Sequence, residues 1–97
     1  MNSIIISKRA QKEITISFLW YEGKQEGLGD RFVEEVYDVL GKIEKYPKRY
    51  AVKKPPYHET ILKIFPFLII YRYSEVSKEI FISSVFHFSR NPKKKYR

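Results

Sequence analysis

Ile61 to Phe88, ILKIFPFLIIYRYSEVSKEIFISSVFHF, is the stretch on which the fold turns. From Phe67 to Tyr73 the residues Phe67, Ile69, Tyr71 and Tyr73 alternate with Leu68, Ile70 and Arg72, the period of a strand whose side chains point to opposite faces in turn. Ile80 to Phe88 repeats the period, placing Ile80, Ile82, Ser84, Phe86 and Phe88 opposite Phe81, Ser83, Val85 and His87. Both runs are rich in β-branched and aromatic residues, and the polar Ser74-Glu75-Val76-Ser77-Lys78 between them suits a hairpin. His58 to Phe65 reads as the strand before them, with Pro66 marking an edge or turn because it cannot donate a ladder bond. Apolar residues on both faces call for helices over one face and partial cover over the other. Arg72 and His87 stand among those apolar residues and are the first places to look for chemistry.

Working outward, a chain of 97 residues is one domain spanning 1–97, large enough to bury roughly two-thirds of its unfolded surface. Without cysteine it has no disulfide framework, no thiolate metal site and no cysteine nucleophile, which fits a reducing cytoplasm. The longest apolar run, Ile64 to Tyr71, is broken by Pro66 and falls far short of the roughly twenty residues that span a bilayer, so a soluble cytoplasmic protein without membrane partners is expected. The net charge of +8 is uneven. Residues 1–46 carry seven Lys and Arg against eight Asp and Glu, whereas residues 47–97 carry twelve against three. Such a basic second half attracts nucleic acid or an acidic protein.

Toward the N-terminus, Ser3 to Ser7 is a short strand candidate, and Ser7 can cap a helix that follows. Residues 8–26 fit two periods. Ala10, Ile14, Phe18 and Tyr21 recur as on a helix, while Ile14, Ile16, Phe18 and Trp20 alternate as on a strand; length and charged flanks favour the helix. Gly23, Gly27 and Gly29 are expected to break it. From Asp30 to Tyr46 an apolar stripe of Phe32, Val36, Val39, Leu40 and Ile43 marks a second helix, capped by Asp30 and stopped at Pro47. So short a turn makes the helices antiparallel neighbours that together cover one face of the sheet. Pro47 to Tyr57 reads as a basic, proline-punctuated loop, in which Lys48, Arg49, Lys53 and Lys54 interleave with Tyr50 and Tyr57 as in a backbone-tracking, base-stacking surface. The expected fold is therefore α+β, in the order β-α-α-β-β-β, with an antiparallel sheet packed on one face by an N-terminal αα-hairpin.

That order, together with Trp20-Tyr21-Glu22, Gly27-Leu28-Gly29-Asp30-Arg31-Phe32, Ile43 with Pro47, Phe65-Pro66-Phe67, Ile70-Tyr71-Arg72 and Val85-Phe86-His87 followed by Arg90-Asn91-Pro92, resembles the RelE/ParE superfamily of toxins from type II toxin–antitoxin modules. These are often described as plasmid stabilisation proteins, and the likeness runs from about Lys8 to Arg97. The likeness is nearer to the ParE-type branch, although Phe67 stands where a tyrosine is usual. It implies a cytoplasmic toxin that inhibits DNA gyrase, needs no cofactor and is neutralised by a cognate acidic antitoxin, with a heterotetramer as one possible assembly. The RelE-like alternative is a ribosome-dependent mRNA endoribonuclease, and a third is a degenerate, non-toxic binding module.

Cleavage of RNA by 2′-hydroxyl attack needs a base, an acid and cations around the pentacoordinate phosphate. Glu59, Lys63, Arg72, His87, Arg90 and Tyr96 are the residues that could share those roles, although His87 is followed by Phe88 where some interferases place a tyrosine. Lys48, Arg49, Lys53, Lys54, Arg72, Arg90, Lys93, Lys94, Lys95 and Arg97 are candidates for a polyanion surface, and Trp20, Tyr21, Phe67 and Tyr71 for antitoxin contact. Arg72 has a plainer option in pairing with Glu59 or Glu79, as His87 has in a structural hydrogen bond. Two histidines with scattered acids form no metal-ligand pattern, and GLGD, lying between helices, is no phosphate-cradling loop.

Overall fold

In the computed structural model, which describes residues 2–90 and 92–96, a helical hairpin lies against one face of a five-stranded sheet. The elements are β1 (Ser3–Ile6), α1 (Lys8–Lys24), α2 (Leu28–Lys45), β2 (Val52–Lys54), β3 (Tyr57–Ile61), β4 (Phe67–Ser74) and β5 (Glu79–His87), followed by a 3₁₀ turn at Pro92–Lys94. The sheet order is β1-β5-β4-β3-β2. Pairing is antiparallel except at β1, which runs parallel to β5 with Ile4 opposite Ile80. The sheet is thus mixed where an all-antiparallel one was expected, because the helices carry the chain away from β1 and β5 returns beside it in the same direction. A second difference is β2: Val52–Lys54, read from its lysines and prolines as loop, pairs with β3.

Local chemistry explains the helices. Ser7 caps α1 by accepting the Ala10 amide at 3.0 Å and also donates to the Ser83 carbonyl at 3.0 Å, fixing the helix start to β5. Three glycines were expected to break this helix, yet Gly23 lies inside α1 and Gly29 inside α2. Gly27 makes the turn, at a φ of 85° that only glycine adopts cheaply. Gly29 is required for another reason: a Cβ there would meet the Phe18 carbonyl oxygen at 2.6 Å, so the helices close on a bare backbone. Asp30 sits in the first turn of α2 without capping it. Glu22 reaches across the turn instead, accepting the Gly27 and Gly29 amides at 2.8 and 2.9 Å, where a carboxylate also suits the positive end of the helix dipole.

The α2 stripe of Phe32, Val36, Val39, Leu40 and Ile43 is buried throughout and meets Ala10 and Ile14 of α1 and Phe67, Ile69, Tyr71, Ile80, Ile82 and Val85 of the sheet. Tyr21, Phe32, Phe65 and Phe67 form an aromatic knot at one end, with ring centroids 4.8 to 5.4 Å apart in the Tyr21–Phe65, Phe32–Phe67 and Tyr21–Phe32 pairs. Buried Tyr71 donates from its hydroxyl to the Pro47 carbonyl at 2.7 Å, tying the end of α2 to the sheet.

One irregularity redirects the last strand. Tyr71 pairs with Ile82 and Ile70 with Ser84, so β5 holds one residue more than β4 at that point, a β-bulge at Ser83. Strict alternation sets Val85 and His87 opposite Ile80 and Ile82. Across the bulge the phase shifts: Val85 pairs with Ile69 and His87 with Phe67, and both join the helix-covered face. Phe86 moves to the other face with Leu68, its partner.

Candidate functional site

The shifted strand end and α1 enclose a groove of about 510 Å³, lined by Glu13, Trp20 and Tyr21 from the helix and by Phe67, His87 and Arg90 from the sheet side. Its inner wall is organised by Glu13, 9% exposed. This carboxylate accepts from the Ser84 hydroxyl at 2.8 Å, the Val85 amide at 2.9 Å, Arg90 at 3.0 Å and Arg9 at 3.4 Å. β1 ends opposite Ile82, leaving the β5 edge beyond it open, and Glu13 satisfies the Val85 donor there.

His87 stands over this groove with its ring edge-on to Phe67, centroids 4.9 Å apart at 88°. Its Nδ1 accepts the Ser89 amide at 3.0 Å and lies 2.7 Å from the Ser89 hydroxyl. An amide can only donate, so Nδ1 is the acceptor in that contact. The outer lip is apolar and open: Ile16 and Trp20 are 56 and 58% exposed, and the Lys24 ammonium rests over Trp20, 5.0 Å from the ring centre.

The opposite sheet face carries a second layer. Ile70 and Phe86 are fully buried yet lie outside the main core. The segment after β5 accounts for this, since Arg9 donates to the Lys94 carbonyl at 2.5 Å while Lys95 pairs with Glu59 on β3 at 3.2 Å, so the segment crosses β5 and β4 between them. Tyr96 donates to Glu59 and packs against Tyr57 with centroids 5.0 Å apart and the rings tilted by 38°, and the Lys54 ammonium lies 5.3 Å from its ring centre. Burial first, and the bond to Glu59 second, push the Tyr96 phenol up to about 12.

The residues singled out from sequence are thus divided. His87 and Arg90 meet in the groove, Arg90 also lying 5.7 Å from the Phe86 ring centre. Glu59 and Tyr96 hold each other on the outer face. Arg72, on that face too, pairs with neither Glu59 nor Glu79: its guanidinium lies 4.8 Å from the ring of Phe81, its partner in register. Lys63 is in the β3–β4 turn, where its amide and those of Ile64 and Phe65 bond Glu35. Of the four aromatics assigned to antitoxin contact, Trp20 is open, Tyr21 is half-buried and Phe67 shows the groove only a buried edge. Tyr71 is wholly enclosed and cannot touch a partner, because the Pro47 bond and core packing use both ends of its side chain. Among the basic residues, Lys48 pairs with Glu75 at 2.7 Å, Arg49 lies 5.9 Å from the Tyr46 ring centre, and Lys53, Lys93 and Lys94 are exposed; Arg97 lies outside the described residues.

Glu13 was not among the sequence candidates. Its signal was present, since it falls three residues after Ala10 and beside Ile14 on the apolar stripe of α1, where a carboxylate needs buried partners. Among the described residues no three His, Asp or Glu side chains converge as metal ligands, and no helix is long and apolar enough to cross a membrane.

With the geometry in place, comparison with known proteins gives one family match, to the ParE toxin of type II toxin–antitoxin system, parDE, over residues 4–92. The chromosomal ParDE toxin–antitoxin system from P. aeruginosa contains a similar chain, 16% identical, with 90% of this chain and 96% of that one covered at a TM-score of 0.65. The intact E. coli RelBE toxin–antitoxin complex contains another, 17% identical, with coverages of 93% and 100% at a TM-score of 0.71. The isolated E. coli RelE toxin is similar at 17% identity, 96% and 90% coverage and a TM-score of 0.69. At such identities these likenesses speak for the fold. No curated protein sequence matches the chain.

Proposed function

The chain belongs to the ParE toxin family of type II toxin–antitoxin systems, and on that premise we propose that it acts on DNA gyrase by binding, without cutting a nucleic acid itself, until a cognate antitoxin covers it. What supports a binding mode is the dispersal of the six residues that could have formed a nuclease. Glu59 is engaged by Tyr96 and Lys95, Arg72 lies over Phe81, Lys63 is in the β3–β4 turn, and His87 and Arg90 are on the helix side of the sheet. An acid and a base acting on one phosphate must reach it together; Glu59 and Tyr96 do share a face but are bonded to each other, while His87 and Arg90 lie on the helix side of the sheet. A phenol pushed up to about 12 is also a weak proton donor at neutral pH.

The antitoxin is proposed to seat an apolar segment in the groove, with Ile16 and Trp20 as the exposed contacts and Arg90 and Lys24 favouring an acidic partner. Purified protein added to gyrase should inhibit supercoiling or trap cleaved DNA, while mRNA on programmed ribosomes stays intact. Ribosome-dependent cleavage that disappears in His87→Ala would overturn the binding mode and return the chain to the endoribonuclease alternative.

A further inference from the structure

At the far end of the β4–β5 hairpin from the groove, a cleft of about 660 Å³ opens between the end of α2 and the β4–β5 turn. Lys45, Lys48, Arg49 and Lys78 line it against a single acid, Glu75. Lys48 is paired with Glu75 at 2.7 Å and Lys78 also acts on that carboxylate, but among the described residues Lys45 and Arg49 make no ion pair. Tyr46, 53% exposed, stands in the same cleft beneath Arg49. These side chains come from two segments about thirty residues apart in sequence.

We infer that this cleft is a phosphodiester-binding site through which the protein holds the backbone of a nucleic acid, separately from the groove. Four cations gathered around one carboxylate in a single concavity repel one another, and a polyanion relieves that repulsion while releasing its condensed counterions. The lining favours a nucleic acid over an acidic peptide. Protein partners are held chiefly by buried apolar anchors. Here the exposed non-charged surface is a tyrosine ring beside an arginine, which suits a sugar–phosphate chain and a stacked base. Glu75 tempers the site by occupying Lys48, and its carboxyl is held below the usual range by that hydrogen bond.

The test is fluorescence anisotropy of short duplex DNA, single-stranded DNA and RNA with the full chain at several salt concentrations. Arg49→Gln with Lys78→Gln should weaken binding on the order of tenfold at low salt and lower the salt slope by about 2. Lys8→Gln with Lys12→Gln removes the same charge from the start of α1 and should change affinity far less. Glu75→Gln should strengthen binding, since it frees Lys48. All these side chains are exposed, so thermal melts should be unchanged. Whichever of the three backbones binds in this cleft-dependent way is the ligand source. Equal losses from the two double variants would overturn the proposal, as would a polyglutamate peptide that uses the cleft when no oligonucleotide does. Neither result bears on gyrase inhibition, which is read in its own assay.

Discussion

The two ends of the β4–β5 hairpin, roughly 20–25 Å apart, carry the same kinds of side chain under opposite conditions. At the groove end Glu13 is buried and receives four donors, from Arg9, Ser84, Val85 and Arg90. At the turn end Glu75 is exposed and has one partner at a shorter distance, Lys48 at 2.7 Å. Distance alone would rank the second pair higher. Desolvation reverses the ranking, because water replaces a lost partner at the surface, and a buried group that loses its partner has no substitute.

Glu13→Ala is the strongest way to break this comparison. It leaves the Val85 amide, the Ser84 hydroxyl and Arg90 without their acceptor, and should cost about 3 kcal/mol in urea unfolding. A loss below about 1 kcal/mol would mean that water enters and replaces the carboxylate. Tyr71→Phe, on the strand joining the two ends, comes next. It orphans the Pro47 carbonyl and should cost about 1–2 kcal/mol.

The same substitution has a pH signature. Burial first, then Tyr50, holds the Tyr71 phenol above the usual tyrosine range, so the fold favours its neutral form. A raised value in the folded state means the contribution is complete below the unfolded value of about 10 and is lost as pH rises beyond it. Tyr96, raised to about 12, acts in the same direction. Stability should therefore fall from about pH 10 upward, and Tyr71→Phe should flatten that alkaline limb. An equally steep limb in the variant would place the titration elsewhere.

The smallest effect belongs to the turn end. Lys48→Ala or Glu75→Gln should leave the unfolding midpoint where it is despite the short contact, since both groups are exposed. A midpoint shift matching that of Tyr71→Phe would show the cleft to be stabilising the fold, and would erase the distinction between the two ends.

Much of this architecture is legible along the chain. The α2 stripe is buried residue for residue, Ser7 caps the helix it precedes, and β4 keeps its alternation with Phe67, Ile69 and Tyr71 inward. These features depend on neighbours a few positions away, whose spacing the backbone period converts directly into a face. The site is less legible. The residues in the groove come mainly from α1 and the end of β5, and the residue that organises it, Glu13, has buried donors because Ser84 and Val85 arrive 71 and 72 positions later.

What the amino-acid order determined by itself was the set of elements apart from β2, the apolar faces of the helices and the concentration of cations in the second half. What only the tertiary structure decided was how those pieces meet. The bulge at Ser83 turns Val85 and His87 inward, β1 joins β5 in parallel, and the end of α2 meets the β4–β5 turn to gather four cations around one acid. The reason is that periodicity is a property of one segment. Register, by contrast, is settled between segments, and a single extra residue in one strand reverses which side chains reach the core.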